Sequence, residues 1–148
     1  MTRKEKARNL FLNGANCSQA VIAAFSDITG LDEESSLLIS SSFGGGMGHL
    51  GEVCGALSGA FMVVGLMFGY GKNCSAEEKN SHYALIREMG EAFKKEYGTY
   101  LCRDLLKGLG EKKYPLPQKE NIENYKARPC LIFVEKAVDI LEEIISSK

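Results

Sequence analysis

Apolar positions recur along the chain at i, i+3, i+4 and i+7, the spacing of one helix face. Sustained alternation, β-branched enrichment and hairpin turns never occur together, so the pattern predicts an all-α fold. Thr2-x-x-Glu5 reads as a capping box for a short helix to about Leu12, stopped by Gly14. Asn16-x-x-Gln19 opens the next, with Cys17, Ala20, Val21, Ala24, Phe25 and Ile28 on its apolar face and Gly30 at its end. Asp32 caps a third through Leu37, Leu38 and Ser41. Phe43 to Gly51 is a glycine-rich loop. An apolar helix follows from about Glu52 to Gly69. Ser75-x-x-Glu78 caps a long amphipathic helix to about Tyr97, with His82, Leu85, Ile86, Met89 and Phe93 as its inner stripe. Thr99 caps a short helix through Leu105 and Leu106. The polar stretch from Gly108 to Arg128 reads as a connection with a helical turn near Asn121–Tyr125. Pro129, at the favoured first position, starts the last helix, to about Ile145.

The stretch from Val53 to Gly71 carries no charge, long enough for a membrane span. Its glycines and serines, and the lack of a basic flank, favour a central helix buried on all sides. Gly55/Gly59 and Gly65/Gly69 lie four apart, each pair offering a groove for a neighbouring helix. The expected architecture is therefore one domain over residues 1–148, a helical bundle around a buried Gly-rich helix. No internal repeat or low-complexity segment divides it.

Composition narrows the function. The chain has 148 residues, 25% charged and 45% hydrophobic, with net charge -1, enough for a real core and too balanced for disorder. No excess of positive charge is available to neutralise phosphates, which argues against nucleic-acid binding. Near the start only Leu10-Phe11-Leu12 is apolar, far short of a secretory signal, so a cytoplasmic location is expected. Thiols there are normally reduced, and cysteines then suggest metal or redox chemistry, or small buried apolar residues.

The five cysteines divide by position. Cys17, Cys54, Cys102 and Cys130 all fall in the first turn of a predicted helix. Unpaired N–H groups and the helix dipole favour a thiolate there, and Arg103 and Arg128 stand beside two of them. Cys74 lies in a polar turn and reads as an exposed or half-buried bystander. Redox disulfides, a metal or iron–sulfur site, and separate buried residues all remain open. There is no CxxC, so no thioredoxin-type or zinc-knuckle site is signalled, and no CxxCH for covalent haem.

The segments Asn16-Cys17-Ser18-Gln19-Ala20-Val21 and Cys54-Gly55-Ala56-Leu57-Ser58-Gly59, the lone Cys102 and the Pro129-Cys130 helix start resemble the C-GCAxxG-C-C family of putative redox-active proteins. The family label writes GCAxxG where this chain reads CGAxxG. The resemblance spans nearly the whole length and selects Cys17, Cys54, Cys102 and Cys130, leaving Cys74 outside. It implies a redox role without naming a substrate or reaction. Split-Soret cytochrome c looks like a distant haem-bearing relative whose covalent haem this chain should not share.

Other residues bear on the same chemistry. Gly44, Gly45, Gly46 and Gly48 precede Cys54, where backbone N–H groups can approach a ligand or a second thiol. An ordinary turn between crossing helices explains them equally well, and the loop lacks the GK[ST] of a phosphate-binding loop. His49 is a candidate base or ligand beside Cys54, with a plain loop residue the favoured alternative. His82 reads as a hydrogen-bonded core residue, and Met47, Met62, Met67 and Met89 as core filler. Glu33-Glu34 and Glu77-Glu78 suit helix starts.

The leading expectation is thiol–disulfide or electron-transfer chemistry; the cofactor is unspecified, and dithiol chemistry requires none. Cys54 is its central thiol, and Cys17, Cys102 and Cys130 are partner and resolving thiols. Four cysteines allow three pairings, and spacing does not choose among them. The rivals are a metal or iron–sulfur cluster held by the same cysteines, with His49, and a non-enzymatic module that binds a small molecule or a partner protein. The other reactant, a redox partner or a small molecule, is unspecified. A homodimer would fit the general prevalence of two-fold assemblies.

Overall fold

The structure is a computed structural model and describes residues 1–107 and 130–148. The expected connection from Gly108 to Arg128, its helical turn, and Pro129 at a helix start lie outside the described residues. The elements are α1 (Arg3–Leu12), α2 (Cys17–Ala24), α3 (Ser26–Thr29), α4 (Glu33–Ser40), α5 (Gly55–Phe68), α6 (Ala76–Tyr97), α7 (Cys102–Lys107) and α8 (Cys130–Ser146). A single 3₁₀ turn, Ser41–Phe43, follows α4. The fold is all-α. No described helix is long and apolar enough to cross a membrane.

Local hydrogen bonds place the helix starts. Thr2 Oγ1 accepts the Glu5 N–H at 3.1 Å. The two strongest capping boxes form in full. Asn16 Oδ1 accepts the Gln19 N–H at 2.9 Å while Gln19 Oε1 accepts the Asn16 N–H at 3.0 Å. Ser75 and Glu78 make the same reciprocal pair at the start of α6.

The second helix departs from its expected run to Gly30. At Phe25 the backbone turns to φ -104°, ψ 13°, and the chain restarts as α3. The Ser26 hydroxyl donates to Ala23 O at 2.9 Å, a side-chain bond that competes with helix continuation. Phe25 is thereby fully buried, with the Arg3 guanidinium 5.3 Å from its ring centre. Arg3 also bonds Asp27 at 2.9 Å and Glu142 at 3.1 Å, tying α1 to α3 and α8.

Helices α2 and α5 lie together at the centre, and α1, α4 and α8 pack on α2. Seven of the eight residues of α2 are buried. Their approach to α5 is close because Gly59 faces Ser18. A Cβ at Gly59 would stand 2.6 Å from the Ser18 carbonyl oxygen, so only glycine fits. The second expected groove does not form. Gly65 has nothing within 4 Å of where its Cβ would lie, Gly69 is past the helix end, and Leu66 is 45% exposed. The C-terminal part of α5 emerges from the core. One face of α8 closes the bundle with Phe133, Val134, Ala137, Val138 and Leu141, each large side chain there contributing about 1.5–3 kcal/mol.

A cavity lined by four cysteines

Each of the four cysteines is delivered by a different helix or its cap. Cys17 is the first residue of α2, whose cap is itself anchored. Asn16 Nδ2 donates to Ser41 O at 3.1 Å and Gln19 Nε2 donates to Leu37 O at 2.9 Å. Cys54 is one position earlier than expected from a first-turn residue, since α5 begins at Gly55 and Cys54 is its N-cap. Cys102 opens α7, and Cys130 is the first described residue of α8.

A short backbone pairing, invisible in the hydrophobic pattern, draws two of these starts together. Val53 and Leu101 form an isolated antiparallel bridge. Across it the Cys54 N–H donates to Tyr100 O at 2.8 Å and the Cys102 N–H donates to Glu52 O at 2.6 Å. Cys54 and Cys102 are thus fixed on facing segments. Thr99 supports this turn by accepting the Leu101 N–H at 3.1 Å, so it braces the approach to α7 without being its immediate cap.

The glycine loop packs over the same place. At Gly46 φ is 72°, and a Cβ would stand 2.6 Å from Glu52 N and 2.7 Å from Cys102 Cβ, which only glycine avoids. Met47 (φ 69°) and His49 (φ 65°) also take left-handed backbone, uncommon for residues with side chains. On the facing side, a Cβ at Gly55 would collide with Cys17 Sγ.

The result is one small cavity. Cys17, Cys54, Cys102 and Cys130 line it together with Gly45 and Gly55. Leu105, Leu106 and Phe133 form its apolar wall among the described residues. Its volume of about 10 Å³ is the room of roughly one water molecule. The four cysteines are only 4% to 8% exposed. No disulfide joins any of the five cysteines, all of which are described. Phe133 is held by Tyr97 and Phe93, at ring-centre distances of 4.9 and 5.9 Å.

Four cysteines in the order of the motif, brought from four helices to one cavity, agree with a family match. A family model described as "Putative redox-active protein (C_GCAxxG_C_C)" matches residues 15–144. The chain belongs to the C_GCAxxG_C_C family. Comparison with curated proteins returned no match, and neither did comparison with solved structures.

In this family member the electrostatics of the cysteines correct the expectation of favoured thiolates. Burial pushes the Cys17 thiol above its ordinary range, although backbone N–H groups of Gly45, Ser18 and Ala56 act on its sulfur in the opposite sense. Burial pushes Cys54 well above that range, and charge on Cys17, then on Cys130, would raise it further. The N–H groups of Ala56 and Leu57 favour its anion without forming a capping bond. Desolvation outweighs the helix-start effect at Cys17 and Cys54, because burial penalises the charged form. Arg103 does not change this. Its guanidinium pairs with Glu52 at 3.1 Å on the surface, 54% exposed.

The remaining candidates separate. Gly45 lines the cavity, whereas Gly44, Gly46 and Gly48 do not. Gly44 packs on the Asn16 side chain, where a Cβ would stand 2.6 Å from Nδ2. His49 is half-buried with its ring against Gly45 and is not part of the lining. No group of three or more His, Cys, Asp or Glu among the described residues is arranged to hold a metal ion. Cys74 is half-buried in its turn, away from the cavity. His82 is not the hydrogen-bonded core residue expected. Its Nδ1 is buried without a hydrogen-bond partner among the described residues, and its ring meets Tyr70 edge-on at 5.7 Å. Met89 is core filler and Met62 and Met67 pack against the core, but Met47 is 37% exposed because its loop turns it outward. The glutamates at the starts of α4 and α6 are surface residues.

Sequence reasoning missed the residues that shape the cavity wall. Phe133 had a legible signal, an apolar residue on the same face of its helix as Cys130, three positions on. Tyr97 and Tyr100 had none, since their roles follow from the bridge and from packing across helices.

Proposed function

We propose that this protein performs reversible thiol–disulfide chemistry in its four-cysteine cavity, within the cytoplasm. The observation that carries the reading is the convergence of Cys17, Cys54, Cys102 and Cys130 on one small cavity. Cys54 is the central thiol, because it lies where charge on either Cys17 or Cys130 would act on it. When two of these thiols join by exchange with an external disulfide, one S–S bond forms, the partner's S–S bond breaks, and the partner leaves as two thiols with the two electrons and two protons. Cys74 takes no part. No cofactor is needed. The room of roughly one water molecule and the lack of a metal-holding arrangement among the described residues favour this reading over a cluster held by the same sulfurs.

The test is equilibration for hours with dithiothreitol redox buffers, followed by alkylation and peptide mass mapping of the folded chain. The expected result is a reversible intramolecular disulfide among the four, with Cys74 alkylated throughout. If the four thiols stay reduced at every poise, or if bridging runs through Cys74, the reading is wrong.

A further inference from the structure

We propose that the disulfide formed at this site joins Cys17 to Cys54, and that Cys102 and Cys130 stay as thiols when it forms. The inference rests on the thiol–disulfide reading above and chooses among the pairings that spacing leaves open. Two backbone features carry it. One is the register of the Val53–Leu101 bridge, and the other is the pair of glycine contacts between α2 and α5.

The register sets one partner aside. In the antiparallel bridge Cys54 stands opposite Tyr100, and Cys102 stands opposite Glu52, as their N–H bonds require. Cys54 and Cys102 are therefore diagonal neighbours, two positions out of step. Such diagonals have Cα separations of about 7–8 Å. A disulfide joins Cα atoms that are closer than about 7 Å. The bridge that brings these two cysteines to one cavity also keeps them at or beyond that limit.

The glycine contacts favour another partner. Cys54 is followed directly by Gly55, and Cys17 Sγ crowds the space where a Cβ of Gly55 would lie. Four residues on, the missing Cβ of Gly59 admits the Ser18 carbonyl. The nearest atoms to these two positions belong to α2 and to Phe43 and Gly44, none of them to α8. The start of α2 is thereby seated on the start of α5, with Cys17 beside Cys54. The Ala56 N–H acts on both sulfurs, which gathers them around one donor. Charge on Cys17 would act on Cys54 more strongly than charge on Cys130.

The exchange balances with an external disulfide as the oxidant. One sulfur of the pair gives up its proton and attacks the oxidant, whose S–S bond breaks and whose first sulfur is released as a thiol. The second sulfur of the pair then attacks the protein sulfur of this mixed disulfide. The Cys17–Cys54 bond forms, and the oxidant's other sulfur is released as a thiol. Two electrons and two protons have passed from the pair to the oxidant. Burial keeps the thiolate fraction small, which slows the exchange without choosing the pair.

The full chain is equilibrated for hours in dithiothreitol redox buffers, alkylated, and digested without reduction, and the bridged peptides are mapped. One sample is folded and one is held in urea. At the poise that oxidises half of the folded chain, the Cys17–Cys54 bridge should exceed every other pair by about tenfold or more, because the fold raises the effective concentration of this pair alone. In urea shorter loops close more readily, so Cys54–Cys74 and Cys102–Cys130 should each at least match Cys17–Cys54. Dominance of Cys54–Cys130, Cys102–Cys130 or any other pair among the four in the folded chain would overturn the pairing and leave the dithiol reading intact. Absence of any disulfide at every poise overturns both.

Discussion

The two ends of α5 carry the same pattern and have opposite fates. Gly55 and Gly59 lie four apart near its start, and Gly65 and Gly69 lie four apart near its finish. A cysteine stands just before the first pair, and another lies a few residues beyond the second. At the start, α2 lies on the glycines so closely that Cβ atoms would strike Cys17 Sγ and the Ser18 carbonyl. At the finish, Gly65 faces open space and Cys74 sits half-buried in a turn. Glycine spacing states what could approach a helix. It does not state what does. The partner that makes one pair matter is α2, whose position depends on a cap bonded to Leu37 and Ser41 rather than on α5 itself.

The sharpest way to break this comparison is to add one methyl group at each end. Gly59→Ala should destabilise by about 1–3 kcal/mol, since the Ser18 backbone cannot move aside cheaply. Gly65→Ala should stabilise by about 0.5–1 kcal/mol through helix propensity alone. Urea midpoints at constant slope measure both, and equal effects would refute the asymmetry. A second contrast uses the cysteines. Cys54→Ser should cost about 1–3 kcal/mol by burying a hydroxyl, whereas Cys74→Ser should stay within about 0.5 kcal/mol.

Acidity provides the next contrast. The folded pKa of Cys54 is raised, so its contribution to stability is complete below the unfolded thiol value of about 8.5 and declines as pH rises through that value toward the folded one. Stability should therefore fall in alkali above about pH 8.5, more steeply in the parent chain than in Cys54→Ala. Denaturation curves at a series of pH values would show it, and parallel pH profiles for the two proteins would contradict it. The smallest effect concerns the loop beside the cavity. Met47→Gly relieves a left-handed backbone at an outward-facing side chain and should stabilise by about 0.5–1 kcal/mol, read as a rise in thermal midpoint.

Much of the fold was legible because it is local. The Asn16/Gln19 and Ser75/Glu78 boxes are formed by residues three apart, and each start lies where the pattern places it. The break at Phe25 was not legible, because Ile28 continues the helical spacing while the Ser26 hydroxyl competes for Ala23 O. Nor was the shift of the α5 start from Glu52 to Gly55. Residues Glu52 and Val53 are drawn into pairing with the segment around Leu101, almost fifty positions away, and periodicity within a window carries no trace of it. Of the candidate loop residues, Gly45 reached the cavity and His49 did not, a distinction set by successive left-handed turns from Gly45 to His49.

By itself the sequence determined most of the helices, the capped starts of α2 and α6, and the set of four cysteines, since capping and periodicity are interactions between near neighbours. Only the tertiary structure decided that the four meet in one cavity, that this cavity is about one water molecule in size, and that Cys17 and Cys54 are held as thiols. The physical reason is burial. A helix start favours an anion wherever it lies, but the cost of removing that anion from water depends on every element packed around it, and at Cys17 and Cys54 that cost prevails.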